Sequence, residues 1–244
     1  MKVSNPHTNG LREHGMAAIM NGIAATKIYK TYSGTFLSFA DYMKPSLRLA
    51  ALMKIDPIQV FTHDSIGLGE DGPTHQPIEQ INMLRLIPNS YVFRPCDLKE
   101  TILCWREALK INDAPSFICL SRQNLPQISG KKLVSKNFKG AYCISGPKAN
   151  NDITIIATGS EVSLAINVAE KIKNNGVIAK VISMPSSSIF EKQSKSFKNN
   201  LLKSKLSQTF VIEAGSTMYW NKYTNTDNIF GIDAFGASAP GNEV

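Results

Sequence analysis

The sequence has no hydrophobic run longer than five residues, as at Leu49 to Met53. A helix needs about 20 apolar residues to cross a bilayer, so the sequence predicts no membrane span. Because no apolar stretch follows Lys2, we also expect no secretory signal. The four cysteines form neither a Cys-x-x-Cys pair nor a zinc-type spacing with histidine. These absences favour a reduced, cytoplasmic protein with buried thiols.

Acidic residues are fewer than basic ones, and the net charge is +8. Lysines cluster in residues 131–139 and 192–205. A nucleic-acid surface is one interpretation of such patches. However, both clusters lack arginine and have almost no aromatic side chains on which bases could stack. We therefore favour a solvated surface and expect no nucleic-acid partner.

Helical and strand periodicities alternate and predict an α/β protein with two doubly wound parallel-sheet domains. We expect a first domain over residues 1–124, a linker over 125–150 and a second domain over 151–244. The first domain has helical spacing over 13–25, 36–53 and 98–110, and strand patterns over 27–33, 58–62, 91–93 and 116–120. The second has strand patterns over 153–157, 177–182 and 209–213, and a helix over 161–174 that Ser160 is predicted to cap.

The segments that follow the predicted strands are the places to look for a site, because open parallel sheets bind ligands outside the carboxyl ends of their strands. One such segment, residues 63–77, reads HDSIGLGEDGPTHQP and combines two histidines, three acidic residues and three glycines. A flexible surface loop has no need of so many titratable groups, so we favour a functional loop.

The chemistry of this loop is open from its residues alone. Its glycines match G-x-G-x-x-G, but prolines follow where a dinucleotide-binding helix would have to begin. A metal site formed by His63, Asp71 and His75 is an alternative, although their spacing matches no standard ligand motif.

Three further features have a structural and a functional interpretation. Glu13 lies in a first helical turn, where a carboxylate often only complements the helix dipole. Phe36, Phe39 and Tyr42 recur every three residues on one predicted helix, a stripe that is more often core than ligand wall. Arg122 follows a buried strand, where a guanidinium binds phosphate or carboxylate, or forms a structural ion pair.

Eight motifs, taken together, point to one family. They are REHGM at 12–16, TFLSFADY at 35–42, THDSIGLGEDGPTHQP at 62–77, RPCD at 94–97, LSRQN at 120–124, ATGSEV at 157–162, VISMPS at 181–186 and FGASAP at 235–240. In this combination the chain resembles the second half of transketolase, from about Gly10 to Pro240. The motif at 62–77 is the most specific part of the resemblance.

The resemblance implies a thiamine diphosphate enzyme of the pentose phosphate pathway. Such an enzyme moves a two-carbon ketol unit from a ketose phosphate to an aldose phosphate. Glu13 matches the catalytic glutamate that bonds the ring nitrogen of the cofactor's aminopyrimidine. Phe36, Phe39 and Tyr42 match the pocket around that ring, with Phe36 as the stacking partner.

The resemblance also implies roles on the substrate side. His63 and Arg122 match residues that hold the sugar phosphate, and Asp71 matches one that contacts a hydroxyl beside the reacting carbonyl. His75 matches a catalytic group near the reacting oxygen that can shuttle protons. The residue types suit these tasks, because an arginine fork binds phosphate and a developing alkoxide needs a nearby donor that titrates near neutrality.

The family binds the cofactor diphosphate through Mg²⁺ or Ca²⁺ held by a Gly-Asp-Gly…Asn motif, which this sequence lacks. We therefore expect no metal ligand here, a first domain truncated at its N-terminus and a second truncated at its C-terminus. The chain alone should have little activity and should need a homodimer or a complementing N-terminal chain. The alternative is a non-catalytic α/β interaction subunit or a degenerate fragment.

Overall fold

A computed structural model describes residues 12–128, 137–202, 204–241 and 243–244 of the chain. The first half of the chain, residues 12–128, forms α1 (Glu13–Ala25), β1 (Tyr32–Phe36), α2 (Ala40–Leu52), β2 (Ile58–Thr62), α3 (Gln80–Arg85), β3 (Tyr91–Phe93), α4 (Leu98–Lys110) and β4 (Ser116–Cys119). The second half, the described residues from 137 onward, forms β5 (Tyr142–Ser145), β6 (Ile153–Ala157), α5 (Glu161–Lys173), β7 (Ala179–Ser183), α6 (Ser187–Glu191), α7 (Lys195–Leu202), β8 (Thr209–Ile212) and β9 (Ile229–Phe230).

The first sheet is parallel throughout, in the order β1-β2-β4-β3. Its strands are apolar on both faces, as a sheet covered by helices on both sides requires. Phe61 and Phe117 pack with side chains of α1, α2 and α3 on one face. Ile58 and Ile118 pack with α4 on the other. The predicted doubly wound α/β architecture is confirmed here.

The start of this sheet differs from the prediction. The strand expected over residues 27–33 lies at Tyr32–Phe36 instead, and the helix expected from residue 36 begins only at Ala40, after a 3₁₀ turn at Leu37–Phe39. Phe36 has extended dihedrals, with φ −72° and ψ 149°, because it pairs with Thr62 in the ladder between β1 and β2. Tertiary pairing outweighs the local alternation at 27–33.

The second sheet has the order β5-β7-β6-β8-β9, with β5 antiparallel to β7 and the other pairs parallel. Strand β5 lies within the predicted linker, at the place where residues 140–145 have a strand pattern. Residues 129–136 of that linker, which include residues 131–136 of the first lysine cluster, lie outside the described residues. The strands predicted at 153–157, 177–182 and 209–213 correspond to β6, β7 and β8. Helices α6 and α7 were not predicted.

The predicted helix cap at Ser160 is wrong. Ser160 has helical dihedrals, and its hydroxyl caps no backbone amide but donates to the carboxylate of Glu161. A capping serine needs an extended backbone to reach the amides of the first turn. Elsewhere, Cys96, Cys104 and Cys119 are buried free thiols. Within the described ranges, no helix is both long and apolar enough to cross a membrane.

Candidate functional site

The register of the parallel strands brings three chain segments together at one edge of the first sheet. Phe36, the last residue of β1, pairs with Thr62, the last residue of β2, so that His63 follows directly beside it. Strand β4 runs along the other side of β2, and the amide of Leu120 donates to the carbonyl of Phe61 at 2.7 Å. The loop that starts at His63 and the segment that contains Arg122 therefore leave the sheet at this same edge.

Five rings form one connected group at this edge, called here the ring cluster: Phe36, Phe39, Tyr42, His63 and His75. The imidazole of His63 stacks on Phe36, with ring centroids 3.6 Å apart and planes 18° apart. Phe39 lies parallel to Phe36 at 5.8 Å and meets the edge of His75 at 5.5 Å. Tyr42 extends the group at 6.0 Å from Phe39.

The aromatic members of the ring cluster do not share one helix, contrary to the prediction. Phe36 ends β1, Phe39 closes the 3₁₀ turn and Tyr42 lies in α2. They also lie outside the buried core, since Phe36 and Phe39 are partly exposed and Tyr42 is 65% exposed. The residues between them, Leu37 and Ala40, are fully buried and anchor the segment. The rings are therefore available to contact a ligand.

Glu13 is the first residue of α1, which packs beside α2, the helix that bears Tyr42 and begins directly after Phe39. The two helices run in the same direction, because Asn21 donates to the carbonyl of Ser46 at 2.8 Å and Ala24 packs with Ala50 further along both helices. Their N-terminal ends consequently lie on the same side. Glu13 is half-buried, and its carboxylate has no hydrogen bond or ion pair to another described residue.

The imidazole of His63 is held in a distinctive environment. Its backbone is left-handed, with φ 59°, and its Nδ1 lies 2.9 Å from the hydroxyl of Thr62. Burial lowers the pKa of His63, while the nearby charges of Asp71 and Arg122 act on that pKa in opposite directions. Because the pKa is lowered, the ring is mainly neutral at neutral pH. Nδ1 is already paired with Thr62, so that, among the described residues, Nε2 is the ring nitrogen left to bond a ligand. Nδ1 of His75 lies 2.9 Å from the hydroxyl of Thr74.

A segment near the end of the described chain packs on the loop at 63–77. The amide of Gln76 donates to the carbonyls of Gly69 and Ala237, each at 3.0 Å. The hydroxyl of Ser238 donates to the carbonyl of Glu70 at 2.6 Å. These bonds join the FGASAP motif to the most specific motif of the chain, so the second half helps to shape the loop that bears His63, Asp71 and His75.

A second group of polar side chains, buried between the two halves, was missed by the sequence reasoning. It is called here the charge cluster and consists of Asp64, Arg85, Arg94, Glu161 and Glu213. Nε of Arg94 donates to Asp64 Oδ2 at 2.8 Å, and its Nη1 forms an ion pair with Glu161. Arg85 forms a bidentate ion pair with Glu213, in which Nη1 donates to Oε2 at 2.6 Å and Nη2 to Oε1 at 2.7 Å. The cluster therefore joins residues that are far apart in the sequence.

Glu213 is the most strongly perturbed acid of this cluster. It also accepts hydrogen bonds from the hydroxyl of Thr158 at 2.6 Å and from the indole of Trp220 at 2.7 Å. Burial opposes its ionisation, but the guanidiniums of Arg85 and Arg94 outweigh burial and lower the pKa of Glu213 to about 2. The carboxylate is ionised throughout the physiological range.

A second buried glutamate, Glu100, also joins the two halves, but its pKa is shifted in the opposite direction to that of Glu213. Glu100 accepts from the hydroxyl of Tyr142 at 2.6 Å and from the amide of Cys96 at 2.8 Å, and it also bonds Ser183. Burial outweighs these hydrogen bonds and raises the pKa of Glu100.

The structure does not support the metal alternative for His63, Asp71 and His75. In the part of the chain that the structure describes, no three His, Cys, Asp or Glu side chains converge as a metal site would require. His63 and His75 belong instead to the ring cluster, and Asp71 lies in the loop between them.

Comparison with known proteins adds a family context to this geometry. Residues 5–127 match the family described as "Transketolase, pyrimidine binding domain", and residues 140–244 match "Transketolase-like TK C-terminal domain". A protein named Transketolase from Halalkalibacterium halodurans is 45% identical over 238 residues, which cover 96% of this chain and 36% of that protein.

Two solved structures share the fold. A transketolase from Pichia stipitis in complex with sedoheptulose-7-phosphate is 44% identical with a TM-score of 0.90, over 96% of this chain and 34% of the other. A split gene transketolase, described as an inactive beta4 tetramer, is 21% identical with a TM-score of 0.75, over 93% of this chain and 74% of the other. The latter likeness shows the fold alone. The chain spans about 36% of the length of the curated relatives that it matches.

Proposed function

Because the chain belongs to the transketolase family, we propose that it forms the pyrimidine-side wall of a thiamine diphosphate site. The enzyme would transfer a two-carbon ketol unit from a ketose phosphate to an aldose phosphate. The observation that supports this proposal best is the ring cluster. Aromatic faces and imidazoles meet outside the buried core, near the N-terminal end of α2. Glu13, at the N-terminal end of the adjacent α1, has a carboxylate without a partner among the described residues.

The cofactor wall would consist of Glu13, Phe36, Phe39 and Tyr42. Thiamine diphosphate supplies a nucleophilic carbon that no amino-acid side chain provides. Phe36 would stack on a flat heterocycle, and Phe39 and Tyr42 would bury its edges. Glu13 would hold a proton between its carboxyl oxygen and a ring nitrogen, and no other side chain in the described ranges competes for that carboxyl.

The substrate side would be formed by His63, Asp71, His75 and Arg122. Arg122 can bind a phosphate with two parallel hydrogen bonds, and the neutral imidazole of His63 can donate a further one. Asp71 would accept a hydrogen bond from a sugar hydroxyl. His75, at the edge of Phe39, would pass a proton to or from the reacting oxygen.

We further propose that the diphosphate and its divalent cation are held by residues beyond those described. No ligand set for a cation is found among the described residues, and the chain spans about a third of its relatives' length. A second copy or a complementing chain would then supply the other wall. A protein of this fold is known as a split gene transketolase, which makes such an arrangement physically reasonable.

Thiamine diphosphate binding tests the cofactor wall. We expect saturation-transfer NMR to detect contact between the aminopyrimidine protons and the purified chain in the presence of Mg²⁺. The Phe36→Ala variant should lose most of this signal, because the substitution removes the phenyl face on which the aminopyrimidine would stack. Tyr29→Ala is the matched control, since Tyr29 is a 56% exposed aromatic residue outside the ring cluster.

Equal signals from the two variants would overturn the assignment of the wall.

Ketol transfer is expected to be negligible for the chain alone and to appear on addition of the complementing chain. Loss of that activity in Glu13→Gln would support the proton-holding role of Glu13. Full activity in Glu13→Gln would contradict it.

A further inference from the structure

Arg94 connects the two halves of the chain next to the ring cluster. Its side chain is 1% exposed. It donates from Nε to Asp64 Oδ2 at 2.8 Å in the first half, and from Nη1 to the carbonyl and hydroxyl of Thr158, at 3.1 and 3.0 Å, in the second. Glu161 also forms an ion pair with Nη1, and Nη2 donates to the hydroxyl of Ser160 at 3.3 Å. One planar group is thus fixed from both sides.

The main chain of Arg94 is fixed to the second half as well. Its amide donates to the carbonyl of Pro185 at 2.7 Å, and its carbonyl accepts from the amide of Gly159 at 3.1 Å. Arg94 follows β3 of the first sheet but is held by the loops that follow β6 and β7 of the second. The second half therefore holds both the backbone and the Nη1 end of the guanidinium of Arg94.

His63 is one residue away from the group that Arg94 holds. A left-handed backbone is uncommon for a residue other than glycine and persists only where its surroundings impose it. On one side of His63, β2 fixes Thr62 in the ladder, and on the other side Arg94 fixes the buried carboxylate of Asp64. The ring of His63 then reaches Phe36 at a centroid distance of 3.6 Å.

We propose that Arg94 is a positioning residue for His63, through which the second half of the chain sets the orientation of the imidazole in the ring cluster. A misplaced His63 would also weaken the binding of a sugar phosphate, and this consequence alone rests on the proposed function. Arg94 itself is buried and would touch neither substrate nor cofactor. The competing role for Arg94 is to join the two halves without any effect on His63.

Alanine substitutions at two glycines distinguish the positioning role of Arg94 from a purely structural one. Gly159 has φ 53°, and a Cβ at this position would stand 2.8 Å from Nε and 2.9 Å from Cζ of Arg94. Gly159→Ala would therefore displace the guanidinium without removing a charge. Gly176 has φ 81°, and a Cβ added there would meet nothing within 4 Å, so Gly176→Ala brings a similar backbone strain without a collision.

The test is the NMR spectrum of the His63 ring in the ligand-free chain, assigned with His63→Gln. In the wild-type chain, stacking on Phe36 should move the His63 ring protons upfield. We expect Gly159→Ala to lose most of this displacement and Gly176→Ala to retain it at a comparable loss of melting temperature. Asp64→Asn, which leaves Arg94 paired with Glu161, is the second variant if Gly159→Ala does not fold, and it should also lose part of the displacement.

An unchanged His63 signal in a folded Gly159→Ala variant would overturn the proposal, as would equal changes in both glycine variants. If Asp64→Asn is needed and leaves the signal unchanged, the proposal fails in the same way. The measurement contains no cofactor and no substrate, so its outcome is independent of the thiamine diphosphate experiment. Failure of cofactor binding with a positive His63 result would refute the proposed function and leave the positioning role in place.

Discussion

The ring cluster and the charge cluster meet at the consecutive residues His63 and Asp64, and they differ in the burial and pairing of their polar groups. In the ring cluster, the aromatic faces are partly exposed, and the neighbouring Glu13 has no described partner. In the charge cluster, Arg94 and Glu213 are almost fully buried and each has several partners. His63 and Asp64 are consecutive in sequence, yet each belongs to a different cluster.

This contrast has a simple energetic basis. A buried charge is tolerated only with paired and hydrogen-bonded partners, and the charge cluster supplies most of these from its own side chains. Two of its atoms, Asp64 Oδ1 and Arg85 Nε, have no hydrogen-bond partner among the described residues, but both are buried away from solvent. A group that must bind a ligand needs unused hydrogen-bonding capacity and some access to solvent. The neighbourhood of Glu13 and His63 meets this requirement, and the surroundings of Glu213 do not. The charge cluster therefore supports the site, and the ring cluster is where a ligand would bind.

The largest expected effect concerns stability and comes from Glu213→Gln. The change leaves Arg85 and Arg94 buried with fewer partners, which should lower the free energy of unfolding by about 3–5 kcal/mol. The control is Glu191→Gln, because the ion pairs of Glu191 with Lys198 and Lys222 are partly exposed and should contribute only about 0–1 kcal/mol. Urea unfolding measures both, and equal losses would contradict the contrast between buried and exposed pairs.

The pH dependence of stability should follow from the same glutamate. The folded-state pKa of Glu213, about 2, is below its unfolded value of about 4.3, so its stabilising contribution is present above about pH 4.3 and is lost as pH falls toward 2. The loss should be on the order of 3 kcal/mol. Because burial raises the pKa of Glu100, that residue contributes in the opposite sense and its stabilisation fades as pH rises.

Urea unfolding between about pH 3 and pH 7 tests this sign. The wild-type chain should lose stability on the acid side of about pH 4.3, and Glu213→Gln should show a shallower acid slope. An acid slope that is the same in both proteins would show that other carboxylates dominate.

The smallest expected effect on stability belongs to the ring cluster. Phe36→Ala should cost about 1 kcal/mol, because the ring is partly exposed and outside the core. Phe61→Ala, in the neighbouring strand, removes a fully buried ring and should cost about 3–5 kcal/mol. Thermal or urea unfolding of the two variants compares them, and a loss in Phe36→Ala as large as that in Phe61→Ala would place Phe36 in the core instead.

Local patterns predict much of this fold. Helices α1 and α4 and strands β2, β3 and β6 lie where their periodicities indicate, since each is a continuous amphipathic or apolar segment. Strand β1 was misplaced, because Gly34 interrupts its apolar pattern and its position depends on pairing with β2. Helix α6 has five residues, and α7 has eight with no buried side chain, so their patterns are weak.

The residues of the candidate site were easier to predict from the sequence than the charge cluster that supports them. His63, Asp71 and His75 lie in a dense polar loop after a strand, which a general rule of parallel sheets identifies as a ligand-binding position. Arg94 and Glu161 lie in motifs that contributed to the family resemblance, but no local pattern assigns them a role. Their partnership spans 67 positions and exists only when the halves pack together. Long-range ion pairs leave no periodic signal in a single sequence.

The pairing of Phe36 with Thr62 imposes a constraint on length as well as on residue identity. Side chains alternate between the two faces of a strand, so one extra residue between Gly34 and Thr35 would turn the ring of Phe36 toward the opposite face. Every amino acid of the ring cluster would still be present in such a protein. The stack on His63 would be gone, and a single-codon insertion would disrupt the ring cluster as surely as the loss of its phenylalanine.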